Sequence, residues 1–291
     1  MDTKMLTFLT LCRKMNYRKT AQELHLTQPA VTKQIQGLEQ QYGTKLFIYN
    51  GHSLQKTRDC IILEEYAQSL NYNYNEVIKK LAGDKTTFIR LGATKTIGDY
   101  VIGDNIKKQL KYTGRSLSLV VDNTERLLSM LDCGELDFAV IEGLFNKIKY
   151  DYRLLCDEPF VGICKRGHPF DGQSVTVKQL QEETVIVREE GSGTRRILEH
   201  ELKSLGFDLN LFAKTVYISS FKLIRELVAD GLGISFVYKS VVGDDSSFGT
   251  FEVEDFGKTH EFNIVYLKNT QARKYAQMFF DGETDCSMTG E

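Results

Sequence analysis

Two groups of residues in this sequence have the types and spacing for recognition chemistry. In the first, Gln28, Pro29, Thr32, Lys33 and Gln36 follow Thr27 and face outward from a helix whose inner stripe is Val31, Ile35 and Leu38. Such a strip suits DNA: Gln reads adenine through two hydrogen bonds, Thr offers a hydroxyl and a methyl to thymine, and Lys supplies phosphate or guanine contact. The second group stands where strands give way to helices, at Ala93-Thr94-Lys95-Thr96-Ile97-Gly98, Asn123-Thr124-Glu125, Glu190-Gly191-Ser192-Gly193-Thr194-Arg195 and Ser219-Ser220. Unpaired helix N–H groups, small side chains and the positive end of the helix dipole make these junctions receptive to an anion, and Lys95, Arg188 and Arg195 lie close by in sequence. Taken singly, each junction also reads as plain N-capping by Ser or Thr.

The outward strip needs a scaffold, and the flanking residues supply one. Ala21 and Leu24 mark a short helix, His25 and Leu26 a turn, and Thr27 a cap for the next helix, with Pro29 tolerated in its first turn. The stripe is expected to pack on the short helix and on Leu6, Leu9 and Leu11 upstream. Leu46 to Tyr49 and Ser53 to Thr57 read as two strands joined by a two-residue turn at Asn50-Gly51, forming a wing. Lys45, His52, Lys56 and Arg58 are then placed to touch phosphates or a minor groove; His52 reads equally well as a plain surface residue. Residues 58 to 82 contain neither Gly nor Pro, and Leu63, Ala67, Leu70, Tyr74, Val77 and Leu81 repeat every 3.5 residues on average, the period of a coiled-coil seam. The same pattern fits an amphipathic helix lying on its own domain.

From residue 88 the pattern changes. Apolar runs at Phe88–Ala93, Leu117–Val121 and Phe138–Ile141 alternate with helical patterns at 97–112 and 124–133, implying a parallel sheet with crossover helices. A second set follows: a strand at Thr184–Val187, a helix at Thr194–Leu205, a strand near Val216, a helix at Phe221–Ala229 and a strand at Ile234–Val237. Two α/β lobes are expected, with the strand Phe262–Leu267 and the following helix returning to the first. Ligands of open α/β sheets collect at the strand ends.

Thr20-Ala21, Leu24-His25, Thr27-Gln28-Pro29-Ala30-Val31-Thr32, Ile35, Leu38-Glu39, Gly43 and Leu46-Phe47 together resemble the winged helix-turn-helix of LysR-type transcriptional regulators. Matching positions make Gln28, Pro29, Thr32 and Lys33 base contacts. Tyr49 stands where the family usually has a basic residue, and Asp59-Cys60 replaces a usual Ala-Gly pair. Further on, LGATKTIGDY, NTERLLSMLDCGELDFAVIEG, VREEGSGTR and LVADGLGISF resemble the effector-binding domain of the same family, itself similar to periplasmic solute-binding proteins. The EGSGTR stretch resembles the subgroup that includes regulators of sulfur and carbon-fixation metabolism. By this resemblance Thr94, Thr96, Thr124, Ser192, Gly193, Thr194 and Ser219 line a cleft between two lobes, with Glu142 and Arg188 nearby; Lys95 and Gly191 complete the expected effector set. Gly103-Asp104 and Thr113-Gly114 depart from pairs common in the family and weaken any transfer of ligand identity.

The resulting expectation is a multidomain α and α/β chain. A winged helix-turn-helix occupies 1–58 and a linker and dimerisation helix 59–87. A periplasmic-binding-protein-like effector domain occupies 88–291, with lobe I at about 88–162 and 266–291 and lobe II at about 163–265. Residues 1–58 hold nine Lys and Arg against three Asp and Glu, whereas 59–291 hold twenty-eight against thirty-six, an asymmetry that attracts a polyanion to the N-terminal module alone. A composition of 42% hydrophobic and 26% charged residues argues against membrane and disordered classes. No basic-then-apolar leader and no apolar run of about 18 residues is present, so a cytoplasmic location is expected. Expected partners are double-stranded DNA, a second copy of the chain in a dimer or tetramer, and a small anionic effector, with no membrane, cofactor or metal. The six cysteines, Cys12, Cys60, Cys133, Cys156, Cys164 and Cys286, lack zinc or thioredoxin spacing and read as buried side chains, with a redox-sensing thiol as the alternative. An anion-binding enzyme has no P-loop lysine, nucleophile elbow or histidine triad to work with, so no catalytic residue is assigned; a solute-receptor module would share the two lobes but not the basic helix pair.

Overall fold

The computed structural model describes residues 2–83, 86–243 and 245–281. They form two compact units. The first is N-terminal and takes in two short segments, Asp132–Gly134 and Leu267–Gln271; the second holds the remainder.

In the first unit, α1 (Thr3–Lys14), α2 (Tyr17–Glu23) and α3 (Gln28–Tyr42) are each opened by a side-chain cap. Asn16 accepts from Lys19 N–H at 2.9 Å and Thr27 from Ala30 N–H at 3.3 Å. His25, at φ 53°, turns the chain between α2 and α3, and Gly43, at φ 66°, ends α3. Val31, Ile35 and Leu38 are fully buried, in a core with Phe8, Leu11, Cys12, Ala21, Leu46 and Phe47. Leu9 packs at its edge, but Leu6 is 41% exposed. Phe8 fills the place expected of Leu6, because its ring meets Phe47 at 6.0 Å between centroids.

The wing consists of β1 (Phe47–Tyr49) and β2 (Leu54–Lys56), antiparallel with Tyr49 opposite Leu54. Its turn is therefore the four residues between them, not the expected two. Asn50 Oδ1 accepts from the N–H groups of His52 and Ser53, a side-chain-nucleated turn that competes with the tight hairpin. Thr57 then caps α4 (Arg58–Leu81). Cys60 and Ala67 bury in the helix-turn-helix core and Leu63 packs on it, so the expected seam is turned inward at its start. The outward apolar stripe is Ile62, Tyr66, Leu70, Tyr74, Val77 and Leu81, with Leu70 61% and Leu81 78% exposed.

The second unit begins with β3 (Thr87–Thr94), which lies parallel to β4 (Arg115–Asp122) and β5 (Phe138–Glu142). The helix expected over 97–112 is two pieces, α5 (Lys95–Tyr100) and α6 (Gly103–Gln109). β-Branched Val101 and Ile102 leave the helix between them, and Ile102 is fully buried. After β4 comes α7 (Thr124–Asp132). The long β6 (Tyr150–Lys165) follows β5, and beyond the short β7 (Ser174–Val175) lie β8 (Thr184–Val187), α8 (Gly193–Ser204), β9 (Lys214–Tyr217), α9 (Phe221–Ala229), β10 (Ile234–Tyr238) and α10 (Lys239–Val242). The unit closes with β11 (Phe248–Val253), β12 (Thr259–Leu267) and α11 (Ala272–Phe280).

Strand order is β4-β3-β5-β12-β6-β10-β8-β9, with β11 on β6 and β7 on β11. Each lobe is parallel at heart, β4-β3-β5 in one and β10-β8-β9 in the other, while β12 and β6 run antiparallel to β5 and β10. The sheet is thus mixed where a parallel one was expected. β6 and β11 were not anticipated: β6 carries Asp151, Arg153, Asp157 and Glu158 among its apolar residues, which hides a strand from a search for apolar runs. Phe262–Val265 of β12 already pair with β5, so the chain regains the first lobe ahead of residue 266. Among the described residues no helix is long and apolar enough to cross a membrane.

Candidate functional site

On α3, Gln28, Pro29, Lys33 and Gln36 are exposed, and Thr32 is half-buried, its hydroxyl donating to the Gln28 carbonyl at 3.1 Å. Thr27 is exposed but its hydroxyl oxygen is engaged as the cap. On the wing His52 is exposed, whereas Lys56 is drawn onto α4, donating to both carboxylate oxygens of Glu64 at 2.8 and 2.6 Å. Lys56 therefore does not present a free ammonium as expected. Lys45 likewise donates to Glu39, at 2.6 Å.

In the second unit the strand ends converge as expected. Thr94 closes β3 and Lys95 opens α5; Glu142 closes β5; Arg188 follows β8; Ser192, Gly193 and Thr194 open α8. Glu142 and Arg188 are only 2% and 4% exposed, and Thr94, Thr96, Thr124, Ser192 and Thr194 are equally buried. Capping does not account for the hydroxyls of Thr94 and Ser192, since neither makes a side-chain cap bond. At the other junctions capping holds: Asn123 Oδ1 accepts from Arg126 N–H at 2.8 Å, and Ser220 accepts from Leu223 N–H at 3.4 Å.

Contacts across the lobes are tight. Thr194 donates its hydroxyl to Glu142 Oε1 at 2.9 Å, and Thr124 donates to the Glu142 carbonyl at 3.3 Å. A Cβ on Gly193 would stand 2.7 Å from both Cγ and the carbonyl oxygen of Glu142, so only glycine allows this approach. Gly191, at φ +84°, lies against Asn123. Ser219 is exposed and takes part through its carbonyl, which accepts from Lys95 Nζ at 3.0 Å.

Glu189, absent from the expected set, is the hub of the charges. Arg188 donates to it from Nε at 2.8 Å and from Nη2 at 2.9 Å, and Lys95 donates at 3.2 Å. The guanidinium of Arg188 sits 4.1 Å over the Phe221 ring. Its adjacency to Arg188 in sequence was the only available signal for Glu189. Burial acts to raise the Glu189 carboxyl, but the hydrogen bonds and charge of Arg188, with help from Lys95, hold it below its ordinary value. Glu142 goes the other way: burial pushes it up, against the Thr194 hydroxyl that donates to it, the charge of Arg188, and the hydroxyls of Thr96 and Thr94, which lie near the carboxyl without completing a hydrogen bond to it. Arg195 is not part of the cluster, since it pairs with Glu199 at 2.7 Å and stacks on Tyr217.

Among the described residues several buried polar atoms here lack a hydrogen-bond partner: Thr94 Oγ, Thr96 Oγ, Glu142 Oε2, Arg188 Nη1 and Tyr238 OH. Orphaned donors and acceptors at one spot fit a polar ligand better than a closed core. Burial raises the thiols of Cys12 and Cys156 above their ordinary value and pushes Cys164 up to about 12, which suppresses thiolate chemistry. Cys286 lies outside the described residues.

The chain matches two family models. Residues 3–60 match the bacterial regulatory helix-turn-helix protein of the lysR family, and residues 83–282 match the LysR substrate binding domain. A RuBisCO operon transcriptional regulator of Allochromatium vinosum is 26% identical over 279 residues, covering 94% of this chain and 91% of the relative. Among solved structures, a full-length OxyR variant from Pseudomonas aeruginosa is 22% identical with a TM-score of 0.60, covering 98% of this chain and 95% of that one. The regulatory domain of Synechocystis CcmR in complex with 2-PG is 23% identical with a TM-score of 0.60, covering 69% of this chain and 99% of that one. At these identities the structural likeness is one of fold.

Proposed function

The chain belongs to the LysR family of helix-turn-helix transcriptional regulators, and on that premise we propose that it reads a divided operator as a dimer and is controlled by a small oxyanion bound between the lobes of its effector domain. Gln28, Pro29, Thr32, Lys33 and Gln36 of α3 contact base edges and phosphates in the major groove, with His52 at the wing. The outward stripe of α4, from Ile62 to Leu81, pairs with a second copy of the chain, so that two α3 helices address two half-sites. The protein acts in the cytoplasm, where its operator is.

One observation carries the effector reading. Arg188 is buried with Nη1 unpartnered among the described residues, and its charge acts on the same Glu142 carboxyl that the buried hydroxyls of Thr94 and Thr96 lie near. Donors held in that state are stabilised by a ligand that accepts from them. On this reading Lys95, Thr124, Ser192, Gly193, Thr194 and Ser219 line the same cleft, with Gly191 at its rim. The 2-PG bound to the CcmR regulatory domain is an oxyanion of the kind such donors fit. An effector shifts the protein only by binding one arrangement more tightly, with coupling of about 1 to 3 kcal/mol being usual. Relatives of this chain are named as transcriptional regulators, and no enzymatic reading is retained.

A thermal-shift panel of carboxylates, phosphate, phosphate esters and sulfate tests the cleft. At least one oxyanion raises the melting temperature of the wild type and fails to do so when Thr94→Val and Ser192→Val are combined; stabilisation that persists undiminished refutes the site. Footprinting on promoter fragments tests the operator reading, which a lack of any preference at moderate salt would overturn.

A further inference from the structure

Anion sites are built from donors, and Glu142 is an acceptor standing among them. Its Oε1 takes the Thr194 hydroxyl at 2.9 Å, while Oε2 is buried and, among the described residues, without a partner. Around it stand further unbonded polar atoms from separate elements: Thr94 Oγ at the end of β3, Thr96 Oγ on α5, and Arg188 Nη1 after β8. Tyr238, at the end of β10, adds a buried hydroxyl. An ionised carboxylate has no proton to give. Beside a fully ionised oxyanion it is repulsive, the more so where water is excluded. One proton between Oε2 and a ligand oxygen turns that repulsion into a charge-assisted hydrogen bond.

We propose that Glu142 makes the cleft select oxyanions that bring their own proton, such as hydrogen phosphate or a monoprotonated phosphate ester, over oxyanions that cannot, such as sulfate. Arg188 and the Thr94 and Thr96 hydroxyls take the ligand's bare oxygens, and Glu142 Oε2 takes its acidic hydroxyl. This inference rests on the anion-cleft reading above. The charged and titratable groups facing Glu142 are Arg188 from the β8 side and Tyr238 from β10. Tyr238 stays protonated because burial, Glu142 and Glu158 all raise it. Lys95 is neutralised by Glu189. Burial also raises Glu142 itself, so the carboxyl can supply the missing proton when a ligand has none, and sulfate is then bound only with uptake of a proton from solution.

Calorimetric titration of the full chain with inorganic phosphate and with sulfate, repeated between about pH 7 and pH 9, separates the cases. Phosphate binds about ten- to a hundredfold more tightly than sulfate in the wild type, the worth of one hydrogen bond to a charged group. Sulfate affinity falls as pH rises above the value at which Glu142 ionises in the folded protein, while phosphate affinity stays nearly flat. In E142Q the amide offers both donor and acceptor, so the two anions bind within about threefold of each other and the pH slope for sulfate disappears. Equal affinities and parallel pH curves in the wild type overturn the selection by Glu142 and leave the anion cleft standing. Binding of neither anion, nor of any other oxyanion in the panel, overturns the cleft reading and this inference with it. The wild-type pH series decides the matter even if E142Q folds poorly.

Discussion

Glu189 holds Arg188 in a two-pronged grip, accepting from Nε at 2.8 Å and from Nη2 at 2.9 Å, and the same carboxylate takes Lys95 at 3.2 Å. A carboxylate of the protein itself thus occupies the Nε–Nη2 edge of the guanidinium and the Lys95 ammonium, and among the described residues Nη1 has no partner. Under the proposed reading, an incoming anion meets cations that already have a counter-ion.

Glu189→Gln removes that competing charge while keeping an acceptor for Arg188. The expected result is tighter binding of oxyanions, by about three- to tenfold given the screening of a partly exposed pair. Calorimetry with the best oxyanion from the panel measures it. Unchanged or weaker binding shows that Glu189 orients Arg188 and does not compete.

Gly193→Ala forces a methyl into a gap only 2.7 Å from Glu142. The lobes must part or α8 must shift, at a cost of about 1 to 3 kcal/mol in stability. Urea unfolding reads the loss, and a wild-type midpoint would show that the approach of Gly193 to Glu142 is loose.

The raised Glu142 carboxyl has a signed consequence for stability. In the folded state it holds its proton above the ordinary value of 4.5, so between that value and the folded one the native protein binds more protons than the unfolded chain. Its contribution is fully present below pH 4.5 and is lost as pH rises through the folded value. Denaturation of wild type and Glu142→Gln across pH should therefore show the wild type losing ground to the variant as pH rises from the acid side. A constant difference between the two across that range would contradict the burial effect.

Lys33→Ala should weaken operator binding across sequences and reduce the salt slope by about one if it holds a phosphate, whereas Gln28→Ala should cost about 1 to 3 kcal/mol of discrimination at one base pair. Lys56→Ala should do less than Lys33→Ala, because Lys56 is already paired with Glu64. Gel-shift titrations at two salt concentrations rank the three. A Lys56 effect equal to that of Lys33 would mean that the wing lysine leaves Glu64 on binding.

Leu70→Glu with Val77→Glu places charges on the outward stripe of α4. Sedimentation should show monomers, and operator affinity should fall by about a hundredfold or more as the second half-site is lost. A dimer that survives both charges places the interface elsewhere.

The helix-turn-helix was legible in the sequence because its determinants are local. A cap at Thr27, a turn at His25 and a stripe of Val31, Ile35 and Leu38 act within a few residues of one another, and local terms sum without help from distant chain. The strand-to-helix junctions were legible for the same reason. Less visible was whatever depends on a distant partner. Lys56 reads as a phosphate contact until Glu64 claims it, and Ala67 reads as part of a pairing seam until the core of its own unit takes it in.

Residue types and their spacing alone determined that this chain carries a winged helix pair, a long linking helix and two α/β lobes whose strand ends are rich in hydroxyls. Only the tertiary structure decided which of those hydroxyls are left free, that Glu189 neutralises the cations, and that Glu142 stands as an acceptor in a nest of donors. Those facts turn on burial and on ångström-scale approach between β5 and α8, far apart in the chain, and hydrogen bonding at that range is fixed by packing.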